Sequence, residues 1–310
     1  MANMERHLGI DIGGTNIACG IVNENCEIVA RSKVKTNSPR PYAEILADII
    51  RAAELACAEA GITPQQLASI GIGCPGTCNQ ATGVVEYSNN LGFVNAPLRT
   101  DIESRFGVST YLGNDADAAA YGEYCAGAAK GAGSAVVITL GTGVGSGIII
   151  DGKIYSGSNF AGGEIGHTVI EVDGRPCTCG RKGCFEAYSS ATGLVNTTRE
   201  YAEKFPDSLM AELIKNEGKV SARTAYIAMK QGDEAGKFVT DLYVKYLAVG
   251  ITNVINIFQP DILCIGFSVQ SWIIPAPSFS RSAMLRKLPR SRVSSLRSLS
   301  LNAYPPVLGE

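Results

Sequence analysis

Leu8-Gly-Ile-Asp-Ile-Gly-Gly-Thr15 and Thr139-Leu-Gly-Thr-Gly-Val-Gly145 decide the fold class, because each sets a glycine-rich turn at the end of a short apolar strand. Glycine lets backbone N–H groups come close to an anion, since no side chain intervenes and positive φ is open to it. Two such turns, about 130 residues apart, suggest a duplicated architecture with a phosphate gripped between two lobes. Asp11 inside the first turn suits Mg²⁺, with Thr15 and the backbone of Gly13 and Gly14 on phosphate oxygens; the turn from Gly141 to Gly147 would take the other side of a triphosphate. Neither turn ends in the Lys-Ser/Thr of a P-loop, and the catalytic-loop set of protein kinases is missing.

Outward from these turns the pattern is mixed α/β. Ile17 to Val22 and Glu27 to Lys35 continue a strand meander, Pro41 to Ala60 has helical apolar spacing ending before Gly61, and Ser69 to Cys74 is a buried strand broken by Pro75-Gly76. Val108 to Leu112 reads as a strand, Asp115 to Ala128 as a helix, and Ala135 to Leu140 and Val144 to Ile150 as strands. Glu200 to Met229 and Glu234 to Gln259 read as helices, with Asp261 to Gly266 a last short strand. At 310 residues, 45% hydrophobic and 18% charged, the chain can bury a full core, and two lobes are expected. No apolar run reaches the roughly 18 residues of a membrane span, so no membrane role and a cytoplasmic location are expected.

Ten cysteines would fit a secreted disulfide scaffold, but Cys19, Cys26, Cys57, Cys74, Cys78, Cys125 and Cys264 are scattered through a long glycine-rich chain and read as reduced thiols. The other three, Cys177, Cys179 and Cys184, fall within eight residues, ten downstream of His167, one of two histidines in the chain. Three thiolates and an imidazole make a closed tetrahedral zinc site with a structural role, and Gly180 and Gly183 supply the tight turns of such a knuckle. Asn114-Asp115 sits where a strand passes into a helix. It reads as an N-cap, and equally as an aspartate held in a cleft to take a proton from a sugar hydroxyl; the two readings are compatible.

Asp11-Ile-Gly-Gly-Thr15, Gly73-Cys-Pro-Gly76, Gly113-Asn-Asp115, the stretch from Leu140 to His167 and the Cys-x-Cys-Gly-x-x-Gly-Cys-x-Glu run ending at Glu186 together resemble the ROK family (repressors, open reading frames and sugar kinases), most closely its bacterial glucokinase branch. The resemblance covers residues 8 to about 266 and implies a two-lobed actin-like, ribonuclease H-like ATPase fold of the sugar kinase type. The lobes expected are 1–115, small, and 116–266, large, with the knuckle at 167–184. It implies ATP-dependent phosphorylation of a hexose, glucose first, with N-acetylmannosamine, N-acetylglucosamine, fructose or allose as alternatives.

By the same resemblance Asp115 is the base for the 6-hydroxyl, and Gly76, Asn90, Asn114, Glu164, His167 and Glu186 contact the sugar. His167 would give its other ring nitrogen to zinc, so the metal braces the loop carrying two sugar-binding glutamates. Asp11, Gly13, Gly14, Thr15, Asn16, Gly141, Thr142, Gly143 and Gly266 fall to Mg-ATP. A homodimer or homotetramer is implied. The family's repressors carry a helix-turn-helix ahead of the kinase-like part; with the first motif at residue 9, no nucleic-acid binding is expected.

After Gly266 the pattern changes. Family members run on into further glycines that seat adenine and ribose, whereas here Phe267-Ser268 follows, and 267–310 holds ten serines, five arginines and five prolines. The overall charge of −2 conceals this change, since residues 1–266 carry 21 basic against 28 acidic side chains. Leu285 to Leu301 reads as a weak helix at best. A shifted reading frame, a divergent folded end and an anion-binding Ser/Arg segment all fit such a tail. A tail of that composition would leave a sugar-binding protein or sensor without a complete nucleotide site.

Overall fold

The computed structural model describes residues 5–266 and 283–286. The remainder of the atypical tail expected over 267–310 lies outside the described residues.

Strands β1 (Arg6–Ile12), β2 (Asn16–Asn23) and β3 (Ile28–Lys35) form the expected antiparallel meander. Alternation on β1 sends Leu8, Ile10 and Ile12 into a core closed by α1 (Tyr42–Glu59), whose Ile45, Ile49, Ala52, Ala53 and Ala56 are fully buried. β4 (Ser69–Cys74) lies parallel to β1, with Gly9 opposite Gly71 and Asp11 opposite Gly73. Next come three strands and a helix absent from the sequence expectations. β5 (Thr77–Asn79), β6 (Val84–Ser88) and β7 (Phe93–Ala96) make a small antiparallel sheet, and α2 (Leu98–Phe106) ends on left-handed Gly107. β8 (Thr110–Asn114) then pairs parallel to β4 and leads directly into α3 (Asp115–Cys125).

β9 (Ser134–Leu140) and β10 (Val144–Ile150) follow, then the short β11 (Lys153–Ile154). Helices α4 (Phe185–Ser189), α5 (Ala191–Lys204), α6 (Leu209–Glu217), α7 (Thr224–Lys230) and α8 (Glu234–Phe258) precede β12 (Ile262–Gly266) and β13 (Ala283–Arg286). The single helix expected over Glu200 to Met229 is thus parts of three. Ser208 caps α6 from a turn containing Pro206, and left-handed Gly218 ends it. Leu285 and Arg286, read as the start of a weak helix, lie in a strand.

The strand orders are β3-β2-β1-β4-β8 and β11-β10-β9-β12-β13. In both, an antiparallel hairpin is extended by a third strand on one side and by parallel pairing on the other, β1 with β4 and β9 with β12. The duplication inferred from two glycine turns is a duplication of sheet order. Each turn closes the leading hairpin of its sheet.

By compactness the described residues divide into one unit of 5–139, 146–163, 262–266 and 283–284, and another of 140–145, 164–261 and 285–286. The expected border at residue 115 is a different division: there the first sheet ends. In the second unit α8 packs through Ala235, Val239 and Tyr243 on α5, α6 and α7. Among the described residues it is the one helix long and apolar enough to cross a membrane by length and composition; half of its most apolar window is buried inside the protein.

Candidate active site

In the first unit, Asp11 ends β1 and the turn Gly13-Gly14-Thr15 returns the chain into β2. Gly13 N–H donates to the carbonyl of Asn16 (2.9 Å), while Thr36 donates its hydroxyl to Gly13 O (2.6 Å) and its N–H to Thr15 O (3.1 Å). Gly13 and Gly14 are absent from the left-handed glycines, so what they supply is space. A Cβ on Gly14 would stand 3.8 Å from the carbonyl of Asn90, which places Asn90 beside this turn. Asn16, the first residue of β2, is 9% exposed.

Asn114 is an N-cap in geometry, its Oδ1 accepting from the N–H groups of Ala116 (2.8 Å) and Asp117 (3.3 Å). Its amide nitrogen also donates to Gly76 O at 3.1 Å. Gly76 has φ +107°, and a Cβ there would lie 2.1 Å from Tyr87 O, so no other residue fits the loop. Capping thus holds Asp115 at the first helical position. Asp115 and Asp11 line one cavity of about 610 Å³ together with Gly73, Gly113, Asp117 and Gln80. Burial raises the pKa of Asp11 to about 7, with the charge of Asp115 adding to it. Burial also raises Asp115, opposed by the hydrogen bond from Ala116 N–H to its carboxylate (2.9 Å).

In the second unit, the turn Gly141-Thr142-Gly143 is held by the start of α5. Ala191 N–H donates to Gly141 O (2.9 Å) and Thr192 Oγ1 to Thr142 O (2.7 Å). Glu186, in the first turn of α4, accepts from Val144 N–H at 2.8 Å, and a Cβ on Gly143 would meet its Oε2 at 2.3 Å. The glycine of the expected phosphate turn is therefore the residue that leaves room for a glutamate of the expected sugar set. Gly147, by contrast, lies within β10, where a Cβ would strike Ala120 of α3 at 2.4 Å; its role is helix packing. Gly266, the last residue of β12, is buried opposite Thr139 of β9.

Glu164 precedes a 3-10 turn, Ile165–His167, that presents His167 to the cysteines. The donor atoms of His167, Cys177, Cys179 and Cys184 all lie within 4.8 Å of one another, with His167 Nδ1 and Cys177 Sγ 3.6 Å apart and Cys179 Sγ and Cys184 Sγ also 3.6 Å apart. Bonds of about 2.3 Å to sulfur and 2.0 Å to nitrogen in a tetrahedron put S and N about 3.5 Å apart and two sulfurs about 3.8 Å apart. The donor set fits zinc. His7, the other histidine, pairs instead with Ser69 Oγ at 2.8 Å.

The knuckle is seated by a residue the sequence reading passed over. Arg175 donates to Thr197 Oγ1 (2.6 Å) and Glu200 (2.7 Å) on α5 and lies over the Tyr188 ring at 4.9 Å, while its backbone N–H donates to the Tyr188 hydroxyl at 2.7 Å. Gly183, at φ +76°, passes so close to Glu171 that a Cβ would stand 1.7 Å from its carbonyl oxygen.

The model for "ROK family" matches residues 7–274. The chain belongs to the ROK family. It is 34% identical over 263 residues to a glucokinase of Thermotoga maritima, covering 84% of this chain and 80% of that one. Identity to a glucokinase of Halalkalibacterium halodurans is 34% over 264 residues, covering 85% and 80%. Among solved structures, a ROK family glucokinase from Streptomyces griseus in complex with glucose and AMPPNP superposes with a TM-score of 0.73 at 31% identity, covering 86% of this chain and 84% of that one. The fold is accordingly the mixed α/β one of ROK sugar kinases, consistent with the actin-like ATPase type.

Proposed function

We propose that this ROK family chain is a hexose kinase that moves the γ-phosphoryl group of Mg-ATP to the 6-hydroxyl of glucose. The observation that carries the reading is the placement of Asp115, capped at the head of α3 and sharing a cavity with Asp11. As the 6-oxygen attacks the γ-phosphorus, Asp115 accepts its proton and ADP leaves with the electron pair of the broken bond. Burial strengthens Asp115 as a base, because it favours the protonated product of that transfer.

Gly76, Asn90, Asn114, Glu164, His167 and Glu186 are assigned to the sugar. Asp11, Gly13, Gly14, Thr15, Asn16, Gly141, Thr142, Gly143 and Gly266 are assigned to the nucleotide. Carboxylates and amides suit a ligand whose hydroxyls both donate and accept, and they penalise analogues lacking one. Asp11 is a hard oxygen donor for Mg²⁺, which would neutralise phosphate charge. His167, Cys177, Cys179 and Cys184 would hold zinc, a closed site that cross-links the segment leading into α4, which bears Glu186. By the family resemblance the protein would act in the cytoplasm as a homodimer or homotetramer.

A coupled assay of ADP release over a hexose panel, with N-acetylmannosamine included, tests the reading; activity surviving Asp115→Ala removes the base assignment. A second reading, a sugar-binding protein without turnover, is favoured by the end of the family match at residue 274 and by the composition after Gly266. Calorimetry separates the two: glucose binding without binding of an ATP analogue supports the second, and tight analogue binding rejects it.

A further inference from the structure

Asp117 is the third residue of α3, two beyond Asp115. An acid there complements the helix N-terminus and would ordinarily sit in solvent, but this one is 7% exposed. Its Oδ2 accepts a hydrogen bond from Ser156 Oγ at 3.2 Å, and Gln80 Nε2 donates to the same hydroxyl at 3.3 Å. Ser156 opens a strap that closes on itself. Gly162 N–H donates to Ser156 O at 2.8 Å, and a Cβ on Gly162 would lie 2.7 Å from Gly157 N. Ser146 Oγ donates to Gly163 O at the strap's far end. The next residue is Glu164.

We propose that Asp117 is a positioning residue: through Ser156 it ties the strap of residues 156–163, which delivers the chain to Glu164, to the helix turn that carries Asp115. Two functional groups expected on one sugar would then share a mechanical anchor. A carboxylate serves because it accepts from the Ser156 hydroxyl while the helix N-terminus compensates its charge. Asparagine keeps an acceptor oxygen in the same place. The inference rests on the kinase reading for its catalytic consequence, but the tether is measurable without turnover.

The test compares Asp117→Ala, Asp117→Asn, Ser156→Ala and the double alanine variant by hydrogen-exchange mass spectrometry over 156–163 and by hexose kinetics. Asp117→Ala and Ser156→Ala should each speed exchange at the Gly162 amide at least about tenfold and raise the hexose KM about tenfold, with kcat within about threefold. Asp117→Asn should stay near wild type, and the double variant should be no worse than either single one. Unchanged exchange in Ser156→Ala overturns the tether, and that arm decides alone where Asp117→Ala does not fold. Asp117→Asn as damaging as Asp117→Ala, or a loss confined to kcat, overturns the positioning role by making the charge itself essential. A wild-type chain that phosphorylates no hexose refutes the kinase reading, while the exchange result still decides the tether.

Discussion

Gly143→Ala should damage the proposed glucose site through Glu186 alone. Gly143 is not left-handed, so alanine meets no backbone penalty beyond the ordinary, and the one group in its way is the Glu186 carboxylate, 2.3 Å from the added Cβ. Relief to a normal contact needs a shift of about 1 Å, which breaks the 2.8 Å bond from Val144 N–H. The displaced carboxylate would also lose its proposed hydrogen bond to the sugar; such a bond to a charged group is worth about 1.5–3 kcal/mol, so glucose affinity should fall roughly 10- to 150-fold, while loss of the Val144 bond lowers the thermal midpoint by only a few degrees. Calorimetric titration of Gly143→Ala, Glu186→Ala and the double variant forms a cycle. With Glu186 already removed, the alanine at 143 has nothing to displace and should cost little. An equal loss in both backgrounds would falsify the reasoning and return Gly143 to a purely nucleotide-contacting role.

In the knuckle, Gly180 and Gly183 are both left-handed, but only Gly183 is crowded. Gly180→Ala should cost about 1–2 kcal/mol of conformational strain and Gly183→Ala about 1–3 kcal/mol more, with faster zinc release to a chromogenic chelator; equal losses in urea unfolding would show that packing against Glu171 is immaterial. Chelation of the wild type should lower its thermal midpoint and open tryptic cleavage at exposed Arg181 and Lys182, whereas an unchanged digest would argue against bound metal. For Asp11, raised from 3.8 to about 7, the folded state holds the proton that the unfolded state has lost, so metal-free stability should decline as pH rises between those values and level off above. Asp11→Asn should remove up to about 4 kcal/mol of that decline, some slope remaining from Asp115, and parallel urea profiles for the two proteins would refute the burial argument.

What the sequence made legible was strong local pattern. The meander from β1 to β3, α1, β4, the β9–β10 hairpin and α8 show clear periodicity or clear terminators, and each lies within a few residues of its expected place. The stretch from Thr77 to Phe106 was missed for two reasons. Its strands are three to five residues long, too short for alternation to register. The helix α2 did carry a signal, Leu98, Ile102 and Phe106 at four-residue spacing before Gly107, that a closer count would have found.

The candidate site divides along the same line. Motif residues could be nominated because their side chains suit the expected chemistry, but their holders could not. Glu186 depends on a backbone amide 42 residues away, and a backbone amide has no sequence signature. Arg175, Asp117 and Ser156 pair with partners 13 to 76 residues distant, and nothing in local composition marks them. The glycines show the limit most plainly. Gly13, Gly14, Gly141 and Gly143 look in sequence like residues chosen for positive φ, yet none of them adopts it. At Gly141 and Gly180 nothing lies within 4 Å of an added Cβ, whereas other motif glycines mark a close approach. Only the fold says that at Gly143 the close group is a carboxylate, at Gly147 a helix, and at Gly183 a carbonyl, and these three call for different experiments.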